Sequence, residues 1–143
     1  MADVADLVGR WHLVSMESID DRGVVTHPFG ESPQGLLIHL PEGWAAVQVE
    51  ASSRPAPSTA DALAGSESER AAAFSTYVAS AGRYAVEVDT VVHVIELSLF
   101  PQLAGTGQVR VIVFRDGDLV LGTPPVPFGG RIVTNELRWC REK

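Results

Sequence analysis

Short runs of alternating apolar and polar side chains, cut apart by turn residues, constrain this chain more than any other feature. Trp11, Leu13 and Ser15 fall on one side of a run, and His12, Val14 and Met16 on the other. That is the period of a strand. Asp20-Asp21-Arg22-Gly23 reads as a turn. Residues 36–40 and 44–49 flank Pro41-Glu42-Gly43, which predicts a hairpin with a glycine free to take positive φ. The pattern returns later in the chain. Residues 83–88 lead through a tight turn at Asp89-Thr90 into the Val, Ile and Leu of 91–100. Then come 108–115, a turn at Asp116-Gly117-Asp118, 119–123 and 131–141. About eight short strands joined by turns make a sandwich or a barrel. An antiparallel barrel of that size is filled by side chains or holds one small ligand.

One stretch breaks the alternation. Residues 51–65 are rich in Ser, Pro and Ala and read as a loop. Ser66 and Glu69 then stand at capping-box spacing. Phe74, Tyr77, Val78 and Ala81 recur at helical spacing, and Gly82 is placed to end the helix. The expectation is one amphipathic helix of about four turns, packed over an end or side of the barrel.

The bulk properties bound the function. With 143 residues the chain is expected to be a single domain over 1–143. Its formal charge of -7, with Lys143 its only lysine, argues against a nucleic-acid partner. One cysteine, Cys140, makes no internal disulfide. There is no basic start with an apolar run like a signal peptide, and no apolar stretch near the ~20 residues that span a bilayer. The expectation is a cytoplasmic protein without membrane insertion. His12, His27, His39 and His93 are scattered with no cysteine pair, so no metal is expected. Gly105-Thr106-Gly107 lacks the Lys-Ser/Thr of a phosphate loop, and no other cofactor motif stands out.

Several stretches carry a resemblance. Gly9-Arg10-Trp11 resembles the Gly-x-Trp signature of lipocalins. Pro28-Phe29-Gly30-Glu31 with Gly35-Leu36-Leu37-Ile38, then Ala79-Ser80-Ala81-Gly82-Arg83-Tyr84, Thr90-Val91-Val92-His93, Ser98-Leu99-Phe100-Pro101, Gly105-Thr106-Gly107-Gln108-Val109-Arg110, Thr123-Pro124-Pro125 and Arg138-Trp139 resemble the bacterial and fungal lipocalin-like domain family in the same order. The resemblance implies an all-β, antiparallel lipocalin-like β-barrel of eight strands, or nine, with one mid-chain α-helix covering it and a central cavity. It also implies that Trp11 plugs the closed end beneath an arginine of the last strand, for which Arg138 is the candidate. The missing disulfides and leader match the intracellular branch. Some members of that branch lie near natural-product pathways, where related barrels act as cofactor-free cyclases or isomerases.

A hairpin that sets Ser98 opposite Gln108 also pairs Glu96 with Arg110, Val94 with Ile112 and Val92 with Phe114. That face has a polar and an apolar end, as a ligand cavity needs, and Gln48 is a further polar candidate. If the face points outward, Glu96 and Arg110 are an ordinary surface pair. His93 falls on the other face, as a core residue, or as a general acid or base if a bulge swings it inward beside Glu96. Tyr84 and Tyr77 reach the mouth or pack the core. Two functions follow. One is a binder of a small hydrophobic molecule (a lipid, terpenoid or polyketide-like compound) through Gln48, Ser98, Gln108, Arg110, Phe114 and Tyr77. The other is a cofactor-free cyclase or isomerase using His93, Glu96 and Tyr84. Both faces of 91–100 are largely apolar, so a homodimer is also expected.

Overall fold

The computed structural model describes residues 2–142. One helical turn, α1 (Val4–Leu7), precedes β1 (Gly9–Ile19). There follow β2 (Val25–Thr26), β3 (Gln34–His39), β4 (Trp44–Glu50), α2 (Glu67–Ser75), β5 (Tyr77–Glu87), β6 (Thr90–Ser98), β7 (Gly107–Arg115), β8 (Asp118–Gly122), β9 (Val126–Phe128) and β10 (Arg131–Arg141). The strands pair antiparallel in the order β1-β3-β4-β5-β6-β7-β8-β10, and β10 pairs back onto β1. Eight strands therefore close a barrel and leave no open edge. The short β2 and β9 pair onto β1 and β10.

Strand period decides what faces inward. The core takes Leu37 from β3, Val49 from β4, Tyr84 from β5, Val91 from β6, Ile112 from β7, Leu119 and Leu121 from β8 and Trp139 from β10. On β1 the register against β10 shifts between Leu13 and Ser15. This bulge moves the buried set from Trp11 to Met16 and Ser18. Strict alternation had put Met16 on the side away from Trp11.

The helix is shorter than its spacing predicts. The capping box at Ser66 and Glu69 forms as expected, but α2 stops at Ser75. Tyr77, Val78 and Ala81 belong to β5 and pair with Glu50, Val49 and Ala46. Small residues fill both patterns: Ala79, Ser80 and Ala81 suit a period of 3.6 or of 2, and the hydrogen bonds offered by β4 decide between them. Gly82 ends no helix. It sits in the strand where a Cβ would collide with the Val94 carbonyl oxygen. Phe74 of α2 meets Phe100 edge to face, with centroids 5.3 Å apart.

One end of the barrel is sealed. Leu7 and Trp11 are buried there, and the Trp11 indole N–H donates to the Leu7 carbonyl at 2.9 Å. The arginine over the indole is Arg141, with its guanidinium carbon 4.2 Å from the ring centroid. Arg138 takes no part in this stacking. Three residues apart on one strand, the two arginines face opposite sides, and Arg138 holds Asp118 at 2.7 Å.

Candidate functional site

The polar residues expected to line the interior lie on β6 and β7, in a register different from the expected one. Val91 pairs with Arg110, Val92 with Val109, His93 with Gln108 and Val94 with Gly107. The segment between the strands causes the offset. It folds on itself through a 3-10 turn at Pro101–Leu103. The Ile95 N–H donates to Thr106 at 2.9 Å, and the Gly105 N–H donates to Ile95 at 2.7 Å. The pairing slips by an odd number of residues, so Arg110 shares a face with His93 and not with Glu96.

That shared face points inward. Its neighbours on β6, Val91 and Ile95, and on β7, Ile112, are all buried. Gln108 and Arg110 are half-buried, while Val109 and Val111 between and beside them are exposed. Glu96 stands at a bulge, where the β5–β6 register skips between Ala81 and Gly82. Alternation from the inward Ile95 turns Glu96 outward, within 4.0 Å of Arg83. The expected Glu96–Arg110 pair therefore does not form.

The other expected residues divide between inside and outside. Ser98 pairs with Ser80, and its hydroxyl accepts the Phe100 N–H at 3.0 Å. Tyr84 is buried, and its hydroxyl donates to the Leu40 carbonyl at 2.7 Å. Burial first, then the charge of Glu42, raises the Tyr84 pKa. Phe114 lies at the sealed end, in a concavity of about 350 Å³ shared with Trp11 and Arg141. Gln48 and Tyr77 are outside. They bond to each other and line an outer groove of about 510 Å³ with His12 and Leu36.

The spacing of residues missed His39. It ends the inward series Gly35, Leu37, His39 on β3, and a polar side chain closing a buried apolar row was the available signal. Its Nε2 lies 2.9 Å from Nε2 of His93. The rings are within 13° of parallel, with centroids 5.2 Å apart. The centroids are farther apart than the nitrogens by about the width of one ring, so the imidazoles meet end to end through one N–H···N bond. His39 also lies edge-on to Tyr84, at 4.6 Å. Among the described residues no group of three metal-binding side chains gathers.

Burial keeps both rings neutral. It pushes the His39 pKa down to about 4, against the opposing pull of the Leu7 carbonyl. It pushes His93 down to about 3, helped by the charges His39 and Arg110 set beside it. Burial also lowers the Arg110 pKa. No hydrogen bond of normal geometry reaches His39 Nδ1. The two Nε2 atoms share one proton, and either ring can donate it according to its tautomer. His93 also borders a space of about 10 Å³ lined by Leu37, Val47, Ser80 and Ile95, room for about one water.

A family model for the lipocalin-like domain matches residues 8–142. A search of the curated proteins found no match. No helix among the described residues is long and apolar enough to cross a membrane.

Proposed function

Since the chain belongs to the lipocalin-like domain family, we propose that it binds one small, largely apolar molecule inside the barrel and orients it with His93, Gln108 and Arg110. The observation that carries this reading is the inward face of β6 and β7. It places three polar side chains among Val91, Ile95 and Ile112, an apolar wall with a few placed polar groups. A lipid, terpenoid or polyketide-like compound has the matching chemistry. The absence of any need for a disulfide suits the cytoplasm, and the net charge of -7 disfavours nucleic acid. Native mass spectrometry of protein purified from its own host tests the reading. The expected result is a co-purifying small molecule that disappears when Ser80→Trp fills the interior. Absence of any bound molecule, with no change in metabolites when the gene is deleted, overturns it.

The His39–His93 bond favours a second reading, a cofactor-free cyclase or isomerase of natural-product biosynthesis. There the neutral His93 ring takes a proton from the guest while Arg110 steadies a developing oxyanion. Glu96 has no place in that mechanism, because it faces away, and the Tyr84 hydroxyl is already engaged by Leu40. The low His93 pKa makes the ring a weak base and ranks binding ahead of catalysis. A metabolite that accumulates on gene deletion and is converted by the purified protein, but not by His93→Gln, decides for the enzyme.

The outer face of the same strands suits a homodimer. Val94, Val109, Val111 and Val113 remain 41–44% or, for Val111, 45% exposed there. Light scattering that gives a sharp monomer mass at working concentration overturns the dimer.

A further inference from the structure

Arg110 is set apart from the other arginines by what surrounds it. Arg10, Arg22, Arg54, Arg83, Arg131 and Arg138 each lie within 4.0 Å of a carboxylate. Arg141 stacks on Trp11 and donates to the Val8 and Asp6 carbonyls. Arg70 and Arg115 are exposed. Arg110 is half-buried, and among the described residues no carboxylate comes within that distance. Its one hydrogen bond runs to the neighbouring Val109 carbonyl, at 2.8 Å. A guanidinium carries five N–H donors in a fork that matches an oxyanion. The chain holds eighteen carboxylates and has brought none of them to this one. The expected partner, Glu96, lies on the outer face, next to the inward Ile95.

A charge withdrawn from water without a counter-ion weakens a fold. Arg110 stands on the inward face between Gln108 and Ile112, opposite the fully buried Val91. We infer that the missing counter-ion is supplied by the guest: Arg110 pairs with a single oxyanion, a carboxylate in the simplest case, at one end of an otherwise apolar molecule. This inference rests on the binding reading above and names the ligand class for that site. The protein as a whole repels anions through its charge of -7, so a preference for an anionic guest is a local property and traceable to this residue.

The test uses the whole chain and matched probes. The neutral dye N-phenyl-1-naphthylamine reports occupation of the barrel by its fluorescence, and dodecanoate and dodecan-1-ol compete for its place. The expected result is that dodecanoate displaces the dye at least about tenfold more effectively than the alcohol, the scale of one charge-assisted bond. Arg110→Met is expected to abolish that preference, read as the ratio of acid to alcohol displacement within the variant itself. Equal displacement by acid and alcohol in the parent protein overturns the inference and leaves the binding reading standing. An acid preference retained by Arg110→Met also overturns it. Failure of dye, acid and alcohol alike to bind removes the binding reading together with the inference. The parent comparison decides the matter even if Arg110→Met fails to fold, and Arg110→Gln then supplies the variant arm.

Discussion

The pair β3–β4 and the pair β6–β7 occupy the same barrel and are built in opposite senses. On β3–β4 the inside is apolar except for His39 at its end, with Leu37 and Val49 each 1% exposed, and Gln34 and Gln48 are exposed. On β6–β7 the inside carries His93, Gln108 and Arg110, and valines face the solvent. The first arrangement stabilises a barrel. The second works against stability on both faces, since it withdraws a charge from water and leaves apolar surface in it. Wall and site are thus separate arcs of one sheet, and substitutions should tell them apart.

The largest effect is expected in the wall. Leu37→Ala removes a fully buried side chain and should lower the unfolding free energy by about 3 kcal/mol in urea titrations. A loss below about 1 kcal/mol would mean that β3 is not a packed wall.

Next is the acid response of the His39–His93 pair. The unfolded histidines take up protons below about pH 6.5, whereas the folded ones resist until about 4 and about 3. Stability is therefore full above the unfolded value and falls as the pH drops through this window. At pH 5 the loss relative to pH 7 should be about 2 kcal/mol per histidine, as an upper figure. The carboxylates with lowered pKa, Asp20 and Glu69, lose their contribution only as the pH falls below their ordinary values, which lie under 5, and leave the comparison of pH 7 with pH 5 untouched. Replacing both His39 and His93 with Gln should flatten the difference between pH 7 and pH 5 in the same titration. A slope that survives the double substitution places its origin elsewhere.

A smaller gain is available at the turn before β6. Val88 takes φ of 50°, a left-handed conformation that a β-branched side chain adopts only under strain. Val88→Asn should raise stability by about 1 kcal/mol, read as a higher urea midpoint at unchanged slope. The smallest effect is expected at the centre of the site. Arg110→Met should raise stability slightly, by about 0.5 kcal/mol, because it removes a half-buried charge that has no counter-ion. A loss as large as that of Leu37→Ala would erase the distinction between the two arcs.

Much of this architecture was legible from residue patterns, because alternation and turn chemistry speak for single strands. The hairpin at Gly43 and the tight turn at Asp116-Gly117 stand where their residues put them. What escaped were features that depend on two strands at once. The β6–β7 register follows from how residues 95–106 fold back, and one odd slip exchanged Glu96 for His93 as the companion of Arg110. Bulges at Val14 and Glu96 reversed the facing of everything beyond them. Arg138 and Arg141 differ only by parity on β10, so the choice between them rested on a register that alternation alone does not number. The His39–His93 contact joins residues of strands that are not neighbours in the sheet, and no local spacing announces it.

The pairing of β1 with β10 has a consequence for the order of events in synthesis. The first strand of the barrel to leave the ribosome takes one of its two main partners from residues 131–141, the barrel's last strand. Until then β1 has β3 on one side and an unmet row of amides and carbonyls on much of the other. The polypeptide must pass the whole interval with that row open, and a second nascent copy offers the same unmet row. Closure over so many intervening residues also implies slow folding. A shortage of chaperones should therefore be felt first as misassembly of unfinished barrels, well before any loss of the completed ones.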